Sequence, residues 1–228
     1  MRTKISLIAT AIFLSATFAQ AQEDTKAMNF GLKVAPTLSW IKSDTKLVES
    51  DGSKIGFAYG LIADFNFSAN YAFGTGVDVT YRGGKVKNAI PDSINDKTSF
   101  TLQYIEIPIT IKLKTNEIGY LTYFGKFGFS PGINIKATAD YENSITGVSE
   151  KKVGAKKGIN PLNLAFVVGL GATYSLGGHT SVLLGVTFNN GFLDIFDKDY
   201  KVYNPATNEF DDIKATSSFL ALEVGIMF

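Results

Sequence analysis

Few side chains in this sequence are of the types that carry out catalysis. The chain of 228 residues has one histidine, His179, and no cysteine, which excludes thiol nucleophiles, cysteine-based zinc sites and histidine clusters. His179 lies in a predicted turn, where we interpret it as a solvated residue. Glu106 and Glu223 could supply the paired carboxylates of a glycosidase, but such a pair also needs a substrate cleft. We therefore predict that the protein is not an enzyme and needs no cofactor.

Two clusters of charge fall in segments without a regular pattern. The first is basic and could contact the phosphates of lipopolysaccharide or simply be solvated: Lys151, Lys152, Lys156 and Lys157. The second is acidic and has the oxygen ligands that suit calcium: Asp194, Asp197, Asp199, Glu209, Asp211 and Asp212. This second segment lacks the glycine and the terminal glutamate of an EF-hand loop, so we predict no metal site.

Eight further charged residues share the parity of glycines and small polar residues in segments that alternate with period two. They are Lys33, Asp64, Asp78, Arg82, Glu106, Lys112, Lys126 and Glu223. Charges on the inner face of a narrow barrel are costly unless they are paired and hydrogen-bonded. We predict a closed network of salt bridges that fills the lumen, carried chiefly by Lys33, Asp64, Asp78, Glu106, Lys126 and Glu223. A proton or ion path through the same residues is the functional alternative.

The elements that position these charges are eight alternating segments, and alternation of apolar with polar residues is typical of strands with two different faces. The segments are 29–41, 55–67, 71–82, 98–114, 120–136, 162–176, 181–192 and 217–228. In the fourth segment the apolar parity changes from even at Phe100, Leu102 and Tyr104 to odd from Ile105 onward. A β-bulge produces such a change, so we predict a bulge near Tyr104–Ile105.

The connections between the segments alternate in length. Short ones cover 68–70, 115–119 and 177–180, whereas long ones cover about 42–54, 83–97, 137–161 and 193–216. This asymmetry is typical of outer-membrane barrels, which have short periplasmic turns and long extracellular loops. Each segment is also long enough to cross a bilayer at a tilt of about 45°, which takes about 9–11 residues. We predict an all-β protein, an eight-stranded antiparallel transmembrane β-barrel with an up-and-down meander and periplasmic termini.

A soluble, lipocalin-like barrel would turn the same apolar face inward, and three features favour the membrane barrel instead. Glycines lie on the polar face, as the narrow interior of an eight-stranded barrel requires. Aromatic residues lie near the ends of the apolar face, as in interfacial girdles: Phe30, Trp40, Phe57, Tyr59, Phe65, Phe67, Tyr71, Tyr81, Tyr174 and Phe228. The chain ends in FLALEVGIMF, and we interpret Phe228 as part of a signal for the barrel assembly machinery.

The first residues have the features of a secretory signal. Arg2 and Lys4 precede an apolar stretch that ends at Ala19-Gln20-Ala21, which matches the usual cleavage pattern. We expect residues 1–21 to be a cleaved signal peptide and residues 22–228 to form one barrel domain. The formal charge of +1, from 22 basic and 21 acidic residues, predicts no binding of nucleic acid.

Four stretches resemble the PorT-like outer-membrane β-barrel family of Bacteroidota-type bacteria: NFGLKVAPTLSW, YIEIPITIKL, FGFSPGINI and FNNGFLDIF. The resemblance covers essentially the whole chain after the signal. It implies a location in the bacterial outer membrane and the barrel architecture. The family's namesake takes part in type IX protein secretion, but the matching residues are structural and do not single this chain out for that role.

The sequence thus predicts a non-enzymatic outer-membrane barrel with a structural or interaction role: membrane integrity, adhesion or an accessory function in secretion. A narrow channel or a carrier of small molecules or lipids is the alternative. The expected partners are membrane lipid and lipopolysaccharide, the barrel assembly machinery, and an extracellular or secretion-system protein.

Overall fold

The computed structural model describes residues 27–45, 48–88, 96–143, 149–197, 201–204 and 207–228. The expected signal peptide, residues 1–21, lies outside the described residues, as does Asp199 of the acidic segment. No helix in the described part of the chain is long and apolar enough to cross a membrane.

Nearly all of the regular structure is β-strand, as the alternation predicts. The strands are β1 (Met28–Ser43), β2 (Val48–Ser68), β3 (Tyr71–Asn88), β4 (Asp96–Glu106), β5 (Ile109–Lys114), β6 (Leu121–Asn143), β7 (Ser149–Gly154), β8 (Leu162–Gly177), β9 (Thr180–Gly191), β10 (Lys201–Asn204), β11 (Glu209–Asp212) and β12 (Ala215–Met227). One turn of 3₁₀ helix, Lys156–Gly158, follows β7.

Eight antiparallel strands, here called the wall strands, close into a ring: β1, β2, β3, β4 with β5, β6, β8, β9 and β12. β4 and β5 act as one interrupted strand. Neighbours in sequence pair with each other, and β12 returns to β1 over eleven residue pairs, from Gly31↔Met227 to Ser43↔Ala215. The eight-stranded antiparallel meander predicted from the sequence is therefore confirmed. Closure satisfies the edge groups that an open sheet would leave unpaired.

The apolar face of the wall points outward. Along β1, Phe30, Leu32 and Leu38 are exposed, whereas Ala35 and Thr37 between them are buried. On the other wall strands, large aliphatic residues such as Ile55 and Leu170 are 82% and 68% exposed. A soluble protein rarely exposes an apolar surface that continues round the whole molecule. The lipocalin-like alternative, with its apolar face inside, is therefore excluded.

The two ends of the barrel differ. At one end, here called the short-turn end, the wall strands are joined by tight turns, one of which uses Gly177 and Gly178 with φ of +98° and +62°. At the opposite end, the long-loop end, the strands continue beyond the predicted limits. Much of the predicted loops 42–54 and 83–97 is strand, because β2 begins at Val48 and β3 runs to Asn88.

A register shift lies directly beside the bulge predicted near Tyr104–Ile105, but the extra residue is on the neighbouring strand, β6. Phe100, Leu102, Tyr104 and Glu106 are all buried, so β4 keeps one parity throughout and turns these side chains to the inside. The register shift falls where Gln103 pairs with Lys136 and Tyr104 with Asn134, which places the extra residue, Ile135, on β6. The sequence prediction placed the extra residue on β4 because it assumed that every large apolar side chain faces outward.

Candidate functional site: the charged lumen and its apolar cap

The middle of the lumen contains a chain of four charged side chains from four different strands. Lys33 of β1 lies with its Nζ 2.8 Å from Oδ2 of Asp78 on β3 and 3.0 Å from Oε1 of Glu223 on β12. Lys126 of β6 completes the chain, with its Nζ 2.6 Å from Oε2 of Glu223. The structure thus brings together four of the six residues predicted to form the lumen network.

Glycines opposite these side chains make the space that they occupy. Lys33, Gly60 and Asp78 lie next to one another in register on β1, β2 and β3, so the Lys33–Asp78 ion pair passes over Gly60. A methyl group at Gly60 would overlap with Oδ1 of Asp78, and one at Gly169 would lie 2.8 Å from Cε of Lys126. The glycines of the inner face are therefore part of the charged site.

A second ion pair lies nearer the short-turn end. Nζ of Lys112 on β5 donates to Oδ2 of Asp64 on β2, and both side chains are almost fully buried. The same ammonium group lies 4.8 Å from the ring centre of Phe124, which gives it a favourable cation–π contact. Asp64 was predicted to be in the network, and the structure gives it a separate partner.

A third ion pair lies nearer the long-loop end. NH1 of Arg82 on β3 lies 3.1 Å from Oε1 of Glu106 on β4, and Thr80 Oγ1 donates to the other oxygen of Glu106 at 3.0 Å. The guanidinium group of Arg82 stacks over Tyr104, with Cζ 4.2 Å from the ring centre. Glu106 and Glu223 therefore belong to different ion pairs.

The ion-paired charges in the lumen balance. Lys33, Arg82, Lys112 and Lys126 give four positive charges, and Asp64, Asp78, Glu106 and Glu223 give four negative ones. A cavity of about 60 Å³ lies among these side chains, which is room for a few water molecules.

An apolar cap closes the lumen above the Arg82–Glu106 pair, at the long-loop end. It consists of buried residues from the upper wall and from the segments between wall strands: Ile41, Val48, Val86, Phe100, Leu102, Tyr104, Ala137, Ala139, Ile159, Ile195, Phe196, Ile213 and Ala215. Phe100 and Phe196 meet edge to face, with ring centres 5.3 Å apart. Sequence reasoning missed this cap. The signal was the shared parity of Phe100, Leu102, Tyr104 and Glu106.

The segment that follows β9 is fixed to the wall by backbone hydrogen bonds. The Ile195 N–H donates to the carbonyl of Ala215 at 2.8 Å, and the Asn160 N–H donates to the carbonyl of Ile195 at 2.9 Å. Asp194 Oδ1 accepts from the backbone N–H groups of Phe196 and Ala215 at 3.1 and 3.0 Å. One of the acidic residues considered as a calcium ligand therefore holds the cap in place.

Comparison with known proteins gives the family. The family described as "Outer membrane protein beta-barrel domain" matches residues 18–197. The chain belongs to this family. None of the curated proteins compared with the chain matches it significantly.

Several solved structures are similar to this outer membrane β-barrel. Neisserial surface protein A is 14% identical, with 90% of this chain and 98% of that chain covered and a TM-score of 0.46. OprG from Pseudomonas aeruginosa is 13% identical, with 89% and 97% covered and a TM-score of 0.48. Ail, the attachment invasion locus protein of Yersinia pestis, is 13% identical, with 89% and 100% covered and a TM-score of 0.41.

The outward face of this outer membrane barrel has aromatic residues at both ends of its apolar belt. Trp40 stacks on Phe188 near the long-loop end, with ring centres 6.1 Å apart. Phe67 stacks on Tyr71 near the short-turn end, also at 6.1 Å. Aromatic rings with one polar edge are favoured at the headgroup level of a bilayer, and Trp40 and Tyr71 have the positions expected of such rings.

The other predicted site residues lie at the ends of the barrel. Phe228 closes the ring at the short-turn end, where its N–H donates to the carbonyl of Phe30 at 2.6 Å and its carbonyl accepts from the N–H of Phe30 at 3.2 Å. His179 is exposed in a tight turn at the same end, and Lys156 and Lys157 are exposed at the opposite end. The described residues contain no group of three or more histidine, cysteine or acidic side chains that could hold a metal ion.

Proposed function

We propose that this protein is a non-enzymatic, non-conducting outer-membrane barrel with a structural or interaction role. The observation that carries the proposal is the double obstruction of the lumen. A charge-balanced layer of ion pairs, from Lys33 to Glu223, fills the middle, and the apolar cap around Phe100 and Phe196 fills the long-loop end. A path for hydrated ions would require both layers to separate.

Recording of single channels in planar bilayers tests the proposal against a narrow channel. The protein as it exists should give no discrete, reproducible openings. Discrete openings of uniform size would overturn the proposal and favour the channel alternative. In that case, flux that disappears on Glu106→Gln would place the path beside the Arg82–Glu106 ion pair.

The absence of enzymatic activity belongs to the same proposal. Glu106 is engaged by Arg82 and Thr80, and Glu223 is engaged by Lys33 and Lys126. Both carboxylates are thus paired with groups of this chain. A strain with the Glu106→Gln, Glu223→Gln double variant can be compared with a strain that carries the intact gene, provided that the variant still assembles. Retention of every phenotype would support a non-catalytic role, and selective loss of one activity would contradict it.

We further propose that residues 1–21 are a signal peptide, that both termini face the periplasm, and that the long-loop end faces outward. The first wall strand, β1, begins at the short-turn end, and the last one, β12, ends there. The chain has no cysteine, so single cysteines can report the orientation in intact cells. A membrane-impermeant maleimide should label Lys156→Cys and should leave His179→Cys unlabelled until the outer membrane is permeabilised. The reverse pattern would refute this orientation.

The proposed partners are lipopolysaccharide, the barrel assembly machinery through Phe228, and an extracellular or secretion-system protein bound by the loops. Membership of the PorT-like subset and a part in type IX secretion rest on the resemblance of four sequence stretches alone. Crosslinking from Lys156→Cys in whole cells tests for a protein partner. Recovery of a secretion component would support the accessory role in secretion, whereas recovery of lipid alone would favour membrane integrity.

A further inference from the structure

Part of the barrel wall continues past the apolar belt at the long-loop end, and its outward surface changes character there. On β3 the outward residues change from Val77 and Val79 to Lys85 and Lys87, and on β4 Ile105 is followed toward the loops by Gln103. Because outward side chains must match their surroundings, this change marks the height at which hydrocarbon gives way to lipid headgroups.

Two hydrogen bonds to side chains of β4 hold the Lys54 side chain on this outward surface. The pairing of β2 with β3 shifts register between Gly52↔Lys85 and Phe57↔Tyr81. The Lys54 side chain crosses β3 and donates to Ser99 and Thr101 of β4, with Nζ–Oγ at 3.1 Å and Nζ–Oγ1 at 2.6 Å. On β3 between them, Gly83 pairs with Thr101 and has no side chain.

Two exposed lysines flank this fixed ammonium group. Lys85 pairs in register with Ser99, and Lys136 pairs with Gln103. We call Lys54, Lys85 and Lys136 the belt-edge lysine patch. Within the described residues, none of the three forms an ion pair with a carboxylate.

Two lysines farther from the apolar belt form ion pairs with carboxylates. Lys87 pairs with Glu49 and Lys97 with Asp51, both at 3.3 Å. Among the described residues, the acidic neighbour of the patch is Asp140, which pairs in register with Ser99 and whose Oδ1 accepts from a backbone N–H at 2.7 Å. Lys87 and Lys97 are thus neutralised within the chain, whereas the patch at the belt edge is open to an external anion.

We propose that the belt-edge lysine patch binds the phosphate groups of a phosphorylated glycolipid, lipopolysaccharide, in the leaflet at the long-loop end. The acyl chains would lie along the apolar belt directly below. The phosphates would pair with these lysines as carboxylates do with Lys87 and Lys97. A free phosphate ion satisfies the charges but not the adjacent apolar surface, so the lipid is the occupant that fits both. The inference rests on the outward orientation of the long-loop end, proposed above.

Binding of bisphosphorylated lipid A to the folded, full-length protein in non-ionic detergent tests the inference, with bound lipid counted by native mass spectrometry. The test variant combines Lys54→Gln, Lys85→Gln and Lys136→Gln. A lysine at an anionic lipid surface contributes roughly fivefold to affinity, so the triple variant should bind about 100-fold more weakly. Heat-modifiable gel migration, folded faster than boiled, shows that each variant is folded.

A control variant removes the same number of positive charges from ion-paired positions: Lys87→Gln, Lys97→Gln and Lys201→Gln. These lysines pair with Glu49, Asp51 and Asp212, and their loss should weaken lipid binding less than about threefold. Equal losses for the two triple variants would show that net charge alone matters and would overturn the specific site.

Two further probes identify the occupant. Lipid A without its phosphates should bind the unaltered protein and the test variant equally weakly. Inorganic phosphate that binds as tightly as lipid A would overturn the lipid as the occupant. Because binding in detergent does not depend on orientation, cysteine labelling that places the long loops in the periplasm would refute the orientation without changing the binding result.

Discussion

The four-residue ion-pair chain in the lumen makes a quantitative prediction for Glu223→Gln. Glu223 accepts from both Lys33 and Lys126, at 3.0 and 2.6 Å, and is only 4% exposed. At an effective dielectric constant of about 20, two unit charges 3 Å apart attract each other by roughly 5 kcal/mol. Removing the carboxylate also removes its own cost of burial, so the net effect is smaller than the sum of two attractions.

The two lysines are affected differently. Lys33 keeps Asp78 at 2.8 Å, whereas Lys126 has no other ion-pair partner among the described residues. The breaking of a buried pair that leaves one charge uncompensated costs about 3–5 kcal/mol. Because Gln retains an oxygen that can accept from Lys126, we expect a loss of about 3 kcal/mol in the free energy of unfolding.

The assay is guanidinium unfolding of the barrel in lipid vesicles, followed by the fluorescence of Trp40, the one tryptophan of the chain. The matched control is Glu49→Gln, which makes the same substitution in the exposed pair with Lys87 and should cost less than about 1 kcal/mol. The double variant Glu223→Gln, Lys126→Met should recover part of the loss, because no uncompensated charge remains. Equal losses for Glu223→Gln and Glu49→Gln would refute the reasoning.

Two other substitutions test the space inside the barrel. Gly60→Ala places a methyl group against Asp78 and should cost about 1–3 kcal/mol through overpacking. The control Gly154→Ala has open space around it and should be neutral in the same unfolding assay. Equal effects of the two substitutions would contradict the role of Gly60. Phe196→Ala removes the edge-to-face contact with Phe100 and should cost about 3 kcal/mol and speed protease cleavage at the long-loop end. An unchanged cleavage rate would show that the cap is not held by this ring.

The alternation of side chains determined most of the fold because it is a local property. In a strand, successive side chains point to opposite faces, so the parity of Phe30 or Leu222 fixes its face without any knowledge of the partner strands. The parity of Lys33 and Glu223 placed them inside by the same rule. The connections at 68–70 and 177–180 were also local, since short segments between antiparallel strands must form tight turns.

Local parity failed where the interior changes from polar to apolar. Phe100, Leu102 and Tyr104 have the parity of Glu106, but their hydrophobicity was interpreted as contact with lipid. The interior at that height is filled by Phe196 and Ile195, which come from a segment about ninety residues later in the chain. No local pattern predicts that this segment folds inward, because its apolar residues gain burial only from the assembled wall.

The sequence by itself determined that the chain forms strands with one apolar and one polar face, and which charges lie on the polar one. Only the tertiary structure decided which charges meet. Lys33 reaches Asp78 because the register of β1, β2 and β3 places both beside Gly60, and Lys126 reaches Glu223 because the closed ring brings β6 opposite β12. These partners depend on register and closure, which are set jointly by all eight wall strands.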